Sequence, residues 1–119
     1  MPTVNEVLPD LGQFTGAETW YQHPLMRRVT YTEGVKYVAD TTGAHWLIDK
    51  IAANQLDPEI SVELFQVWKL TVDGTRGEVT CEDGNGKVIH REVIDYTDFP
   101  EPGITLWYTD HVILLPSEY

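Results

Sequence analysis

The spacing of apolar residues changes near Thr42, and this change is the sequence feature that most constrains the fold. After it, apolar residues recur with a period of about 3.6, which places them on one side of a helix. These residues are Ala44, Leu47, Ile48 and Ile51. Pro58 disfavours a helical conformation at Asp57, so the helix must end before that point. The pattern predicts one long amphipathic helix over residues 43–56, with Leu47, Ile48 and Ile51 buried.

Upstream of this helix, the pattern is that of short β-elements. Two β-rich stretches, residues 28–32 and 35–39, flank Glu33-Gly34, where glycine can supply the positive φ of a tight turn. The sequence therefore predicts a hairpin over residues 28–39. Thr15 and Glu18 have the spacing of a capping box, which predicts a short N-terminal helix over residues 16–22.

Downstream of the helix, short turns separate further β-rich stretches. Residues 64–96 contain three such stretches, linked by turns at 73–76 and 83–86, as in an antiparallel meander. Residues 104–115 predict terminal strands. At 119 residues the chain fits one domain, 1–119. We expect an α+β fold: a single antiparallel sheet of five or six strands, with the helix 43–56 packed on one face.

Charge is distributed unevenly along the chain. The net charge is −11, of which residues 1–56 contribute −2 and residues 57–119 contribute −9. A field of this sign repels nucleic acid phosphates and anionic membranes and attracts basic protein surfaces. We therefore expect no direct binding of nucleic acid, no membrane association, and a basic protein as partner.

The residue types of catalytic and metal sites lack the spacing that such sites require. The four histidines and Cys81 contain neither an HExxH motif nor a CxxC pair, so we expect no metal site. Glu82 and Asp83 beside Cys81 disfavour its thiolate, and we interpret this cysteine as a small buried residue. The chain has no phosphate-binding glycine motif. The sequence thus predicts no catalytic residue and no cofactor.

The candidate partner-binding residues are acids and aromatics of the second half. Trp107 and Tyr108 are adjacent in a predicted strand and must point to opposite faces, so one of them should be exposed. Exposed Trp and Tyr beside carboxylates are typical of binding surfaces. The candidates are Glu82, Asp83, Glu92, Asp95, Asp98, Glu101, Trp107, Tyr108 and Asp110.

Several segments together resemble a family of small proteins of unknown function from bacteria and their phages and plasmids. The segments are 21–28, 31–40, 44–49, 65–68, 81–86 and 113–119, and the resemblance covers nearly the whole chain. It implies a bacterial or mobile-element setting and a compact single domain, and it assigns no catalytic residue. Small acidic proteins in such settings often resemble inhibitors of host defence, some of which imitate nucleic acid.

These observations favour a non-enzymatic acidic binding protein that engages a basic partner, such as a nucleic-acid-handling enzyme that it inhibits. One alternative is a small enzyme or ligand-binding protein with a pocket between helix and sheet, using His45, His90 or His111. Another is a homodimer formed through a sheet edge. The lone cysteine and an N-terminus without signal-peptide features predict the cytoplasm.

Overall fold

A computed structural model describes residues 2–119 of the chain. The helices in this part are α1 (Val4–Val7), α2 (Glu33–Thr42), α3 (His45–Asn54) and α4 (Pro58–Ser61), with 3-10 turns at Leu11–Gln13 and Pro116–Glu118. The strands are β1 (Trp20–Gln22), β2 (Thr30–Thr32), β3 (Phe65–Asp73), β4 (Arg76–Glu82), β5 (Val88–Ile94), β6 (Gly103–Thr109) and β7 (Val112–Leu114).

The strands form one mixed sheet in the order β1-β2-β7-β6-β3-β4-β5. The α+β class and the single sheet are as predicted. The described residues contain seven strands, however, and β2 pairs with β7 in parallel, so the prediction of five or six antiparallel strands is wrong in these details. The parallel pair exists because β2 runs directly into a helix and does not turn back on itself.

Residues 33–42 form the helix α2, so the predicted hairpin over 28–39 is wrong. Thr32 caps the helix, since its Oγ1 accepts a hydrogen bond from the backbone N–H of Val35 at 3.3 Å. Gly34 packs closely on the C-terminal segment: a Cβ there would lie 2.7 Å from Leu115 Cδ1 and 2.8 Å from Glu118 Cδ, so these buried side chains would have to move. The buried face has helical spacing, with Val35, Val38 and Ala39.

The predicted helix 43–56 corresponds to α3, which is shorter by two residues at each end. Leu47, Ile48 and Ile51 are buried, as predicted. α3 is not the one long helix, because α2 also has ten residues. Gly43 separates the two helices and has a φ of 75°, a left-handed conformation in which glycine is favoured at the end of a helix.

Residues 16–22 do not form the predicted helix, since residues 20–22 are β1, which pairs antiparallel with β2. The ring of Tyr21 stacks on that of Tyr31 in the neighbouring strand, with 5.7 Å between centroids. Cross-strand aromatic pairs of this kind stabilise a sheet. The capping-box pattern at Thr15 was too short a signal to outweigh them.

The antiparallel arrangement of the meander is as predicted, with β4 between β3 and β5. The predicted C-terminal strands over 104–115 correspond to β6, which pairs with the other side of β3, and β7. β6 and β7 are joined by the two-residue turn Asp110-His111.

The helices cover one face of the sheet, and side chains from both layers form the core. Its largest fully buried members include Trp68, Ile51, Ile60 and Ile113. Gln66 is also fully buried. Its amide exchanges hydrogen bonds with Gln55, the residue that follows α3, donates one to the carbonyl oxygen of Ile60 in α4, and accepts one from the indole N–H of Trp68, all at 2.8–3.0 Å. Every buried polar group of this network therefore has a partner, which ties α3 and α4 to β3.

No α-helix of residues 2–119 lies on the other face of the sheet, and we call it the open face. Successive side chains of a strand point to opposite faces, so in β3 the partly buried or exposed residues alternate with fully buried ones. Phe65, Val67, Lys69 and Thr71 point to the open face, and Gln66, Trp68 and Leu70 point to the helices.

Candidate functional site

Three aromatic side chains form a cluster on the open face, which we call the aromatic cluster: Phe65, Trp107 and Tyr119. Their ring centroids are 5.1 to 5.7 Å apart, and the rings meet edge to face. Such pairs contribute about 0.5–1.5 kcal/mol beyond their buried area. Tyr119 is 76% exposed, so the cluster is held together and still accessible.

The aromatic cluster depends on the pairing of β3 with β6. Phe65 lies opposite Thr109, and Val67 lies opposite Trp107, so Phe65 and Trp107 are diagonal neighbours on one face. Their chain neighbours Gln66 and Tyr108 pair on the opposite face, beneath α3. The adjacent residues Trp107 and Tyr108 therefore point to opposite faces, as predicted.

Glu118 positions the third ring of the cluster. This carboxylate is buried; its Oε1 accepts hydrogen bonds from Thr32 Oγ1 at 2.6 Å and from the Leu115 backbone N–H at 2.9 Å. Its Oε2 accepts one from the Gly34 N–H at 3.3 Å, in the first turn of α2. A carboxylate is stabilised there by the exposed N–H groups of the helix. The segment 116–118 is thus fixed, and Tyr119 is placed on the sheet.

Two cross-strand ion pairs lie on the β3-β4-β5 part of the open face. Lys69 Nζ lies 2.9 Å from Glu82 Oε2, and Arg91 Nη1 lies 2.8 Å from Glu78 Oε1. The two cations neutralise the two carboxylates. These four side chains therefore add no net charge to this face.

A cavity of about 450 Å³ lies on the helix side of the sheet, and we call it the Tyr108 cavity. It is bounded by the end of α3, the segment after α4, and the β6–β7 turn. Its lining residues are Met26, Arg28, Val29, Gln55, Leu56, Ser61, Glu63, Leu64, Tyr108, Asp110 and His111. The hydroxyl of Tyr108 lies 3.4 Å from His111 Nδ1, and burial raises the pKa of this hydroxyl, which keeps it protonated at neutral pH.

The turn beside this cavity has an unusual backbone. Asp110 has a φ of 52° and His111 a φ of 64°, the left-handed region that a two-residue hairpin turn of this kind needs and that Asn-Gly normally supplies. The His111 carbonyl oxygen accepts hydrogen bonds from the backbone N–H and the hydroxyl of Thr30, at 2.9 and 3.1 Å. These bonds to β2 hold the turn in its conformation.

Four of the nine predicted partner-binding residues lie on or beside the open face. Glu82 and Trp107 point to it. Asp83 precedes Gly84, which lies against Phe65. The carboxylate of Asp83 accepts hydrogen bonds from the backbone N–H groups of Asn85 and Lys87 in the same turn. Asp110 is in the turn that follows β6, at the border of the two faces, and it also lines the Tyr108 cavity.

The other five predicted residues lie elsewhere, so the structure does not bring the nine together. Glu92 points to the helix side of the edge strand β5 and pairs with Lys50 of α3 at 2.7 Å. Tyr108 is buried in the cavity floor. Asp95, Asp98 and Glu101 belong to the segment between β5 and β6, where Glu101 accepts a hydrogen bond from the Gly74 N–H.

Of the three histidines considered for a pocket, only His111 lines the Tyr108 cavity. His45 is exposed at the start of α3 and bonds Asp40 at 2.9 Å. His90 lies in the edge strand, 3.7 Å from Glu92. His23, which the sequence did not single out, is buried; its Nδ1 accepts two backbone N–H groups, so Nε2 carries the proton that it donates to Asp49 at 2.7 Å.

Cys81 is fully buried, and burial raises the pKa of its thiol to about 12, with Glu63 and Glu82 adding to the effect. This agrees with its interpretation as a small core residue. Within residues 2–119, no group of three or more His, Cys, Asp or Glu side chains is arranged to hold a metal ion. In the same residues, no helix has the length and apolar character needed to span a membrane.

Sequence reasoning missed Phe65, Lys69, Glu118 and Tyr119 of the open face, and Arg28 of the cavity. The alternation of Phe65, Val67 and Lys69 was a signal for one strand face, but it does not say which strand lies beside it. The role of Glu118 depends on a contact with Thr32, 86 positions away, which no local pattern encodes.

Comparison with known proteins identifies a family for the chain. No curated protein and no solved structure matches the chain. Residues 5–119, nearly the whole chain, match a family model described as a family of unknown function, DUF6876. The chain therefore belongs to the family DUF6876.

Proposed function

We propose that the protein is a non-enzymatic binding module whose open face engages a basic partner protein. The observation that carries the proposal is the aromatic cluster, which lies on a sheet face that no α-helix of the described residues covers, in a chain of net charge −11. Trp and Tyr are the residues most often found as energetic anchors of protein interfaces.

The geometry of the aromatic cluster suits an anchor. Phe65 and Trp107 come from neighbouring strands, and Tyr119 packs edge-on against both. Each ring is restrained by the other two, so a partner would have little side-chain entropy to remove on binding. The flanking ion pairs at Lys69 and Arg91 supply a polar border, as is usual around an interface core.

The charge of the chain supports a basic partner. The sequence has 19 acids and 8 bases, and within residues 2–119 only five acids form salt bridges: Asp40, Asp49, Glu78, Glu82 and Glu92. The remaining carboxylates contribute an attractive field that speeds association with a positively charged surface. Asp83 and Asp110 lie in the turns at the Phe65 end of the open face.

A second copy of the chain suits the open face less well. Two copies would bring two charges of −11 together, and the cations that flank the cluster, Lys69 and Arg91, already pair with Glu82 and Glu78 of the same chain. Pairing through the edge strand β5 is opposed by its alternating polar and charged residues, His90, Arg91 and Glu92, and by the bulge opposite them at Cys81-Glu82.

Inhibition of a nucleic-acid-handling or defence enzyme is one form of this proposal, because such enzymes carry basic surfaces. Imitation of nucleic acid would need rows of unpaired carboxylates, whereas Glu78 and Glu82 are paired with cations. Anchoring by the aromatic cluster therefore has more support than mimicry. A reducing compartment such as the cytoplasm suits a chain whose one cysteine is a buried free thiol.

The test is an affinity capture with matched variants. Trp107→Ala and Tyr119→Ala remove cluster rings, and Tyr96→Ala removes a tyrosine of similar exposure, 71% against 76%, outside the cluster. We expect proteins that the parent captures from a bacterial lysate to be lost with the first two variants and kept with the third. The lost proteins should be basic, and their affinity should fall by about tenfold or more, the loss typical of a hot-spot residue.

The salt dependence of the association rate tests the contribution of charge separately from that of the aromatic cluster. Association with an identified partner should slow as salt is raised, because exposed charges are screened within about 8 Å at physiological ionic strength. Capture that is equal for all three variants, or partners that are acidic, would contradict the proposal. A dimer that dissociates in Trp107→Ala would assign the open face to self-association instead.

A further inference from the structure

The Tyr108 cavity lies on the opposite side of β6 from the aromatic cluster, and it is a separate candidate site. Its volume of about 450 Å³ lies within the usual range of small-molecule sites, about 300–1,000 Å³. Part of its wall is apolar, from Met26, Val29, Leu56 and Leu64, and Leu64 is 86% exposed. An apolar ligand body would cover this surface.

Three polar side chains that can donate hydrogen bonds line the cavity: Arg28, Tyr108 and His111. The Tyr108 hydroxyl lies at its floor, 3.4 Å from His111 Nδ1. Arg28 also lines the cavity, and its positive charge partly offsets the burial effect on the Tyr108 pKa. Arg28 forms no salt bridge with any residue of 2–119. A free guanidinium beside a protonated phenol and an imidazole is a set of donors suited to an anion.

The backbone that carries His111 is held in place at a cost in stability. Two successive left-handed residues without glycine are uncommon, because a side chain with a Cβ is strained in this conformation. Such strained residues cluster at binding sites, where the surrounding structure maintains them. Here the two hydrogen bonds from Thr30 to the His111 carbonyl oxygen do so, and they set the imidazole at the cavity edge.

We propose that the Tyr108 cavity binds a small carboxylic acid with an aromatic or aliphatic body. The carboxylate pairs with Arg28 and accepts a hydrogen bond from Tyr108, while the body lies against the apolar wall. Glu63 and Asp110 also line the cavity. Their negative charges repel a ligand with two negative charges more strongly than a ligand with one. A single carboxylate therefore fits better than a phosphate monoester.

The test uses 3-phenylpropionate as the probe, its amide 3-phenylpropionamide as the uncharged match, and phenyl phosphate as the doubly charged match. Each is titrated into the full chain up to about 10 mM, and amide signals are followed by NMR. Millimolar affinity is ordinary for a probe of this size. We expect saturable shifts at Arg28, Ser61 and His111 with the carboxylate, and at least about tenfold weaker binding of the amide and of phenyl phosphate.

Two variants and a control locate the contact. Arg28→Gln should weaken binding of 3-phenylpropionate about tenfold, and Tyr108→Phe, which removes only the hydroxyl, should weaken it about fivefold. Arg27→Gln changes the adjacent exposed base, which does not line the cavity, and should leave binding within about twofold.

Three results would overturn the proposal. One is the absence of saturable shifts at the cavity residues with 3-phenylpropionate. Another is an equal loss in Arg28→Gln and Arg27→Gln, which would show only a general attraction to base-rich sequence. The third is tighter binding of phenyl phosphate than of the carboxylate, which would assign a different ligand class. None of these results bears on the open face, since Trp107 and Tyr119 do not line the cavity.

Discussion

The two faces of the sheet are built from the same strands and yet have different compositions. On the covered face, β3 and β4 contribute Trp68, Leu70, Val79 and Cys81, all almost fully buried. On the open face, the same strands contribute Phe65 and Lys69 with their aromatic and ionic partners. Alternation along a strand thus separates residues that hold the fold from residues that are free to contact something else.

The pair Trp68 and Trp107 shows what this separation means. Trp68 is 1% exposed, and its indole N–H is bonded to Gln66. Trp107, in the neighbouring strand, is partly exposed and packs on Phe65 and Tyr119. One tryptophan is part of the core and the other is on the surface, although both are central in the sheet. We therefore expect substitutions on the two faces to affect different properties.

The largest expected difference comes from placing a charge on each face. Ile51→Lys buries an unpaired ammonium group beneath the sheet and should lower the free energy of unfolding by about 4 kcal/mol or more. Val93→Lys, on the open face opposite Glu78, should change it by less than about 0.5 kcal/mol. Urea unfolding of both variants measures the contrast, and similar losses would show that the open face is also part of the core.

The reactivity of Cys81 tests how well the covered face excludes water. Because burial raises the thiol pKa to about 12, its thiolate fraction at pH 7.5 should be roughly a thousandfold below that of an unperturbed thiol. Reaction with a disulfide reagent should be very slow in the folded chain and fast in guanidinium. Rapid reaction of the folded protein would mean that β4 opens easily.

Gln66 and Gln22 allow a buried glutamine to be compared with an exposed one. Gln66→Leu would leave the Trp68 indole N–H, the Ile60 carbonyl and the Gln55 amide without their partner, at a cost of about 2–4 kcal/mol. The matched change Gln22→Leu, at an exposed glutamine that bonds only the Arg27 carbonyl, should cost less than about 1 kcal/mol. Thermal unfolding compares the two. Equal costs would mean that water replaces the lost partner of the buried network.

The smallest effect is expected at the border of the covered face, where Glu92 pairs with Lys50. The hydrogen bond and charge of Lys50 lower the pKa of Glu92, with a smaller contribution from His90 and against an opposing effect of burial. Stability from this pair is therefore present above the pKa of Glu92 in the unfolded chain and is lost as pH falls through the lower folded pKa.

Because the pair is partly exposed, solvent screens it, and we expect no more than about 0.5–1 kcal/mol. The difference in unfolding free energy between the parent and Glu92→Gln at pH 7 should largely disappear at pH 3. A difference that persists in acid would show that the carboxylate contributes through packing, not through charge.

The elements that the sequence predicted are those encoded by local spacing. The period of Leu47, Ile48 and Ile51 gave α3, and the turns at 73–76 and 83–86 gave the meander. The helix α2 was missed because Glu33-Gly34 has the composition of a turn. Gly34 leaves space for the side chains of Leu115 and Glu118, which lie more than 80 positions further along the chain. A contact between such distant residues is not encoded in the local sequence.

The candidate sites were predicted less completely than the fold. Trp107 was identified from its position in a strand, and the opposite orientation of Tyr108 followed from alternation. Phe65 and Tyr119 were not grouped with Trp107, since the grouping depends on β3 pairing with β6 in one register. The scatter of Glu92, Asp95 and Asp98 away from the open face shows that charge density along a sequence does not locate a surface.

The parallel pairing of β2 with β7 has a consequence for how the chain folds. It joins residues 30–31 to residues 112–113, and Thr32 is bonded to Glu118. The meander β3-β4-β5 needs only neighbouring segments, whereas β2 has no partner in the sheet, apart from the short β1, until β7 exists. Loop closure over some 80 residues is slow relative to local hairpin formation. We expect the meander to form first during folding, and β1, β2 and α2 to dock onto it last.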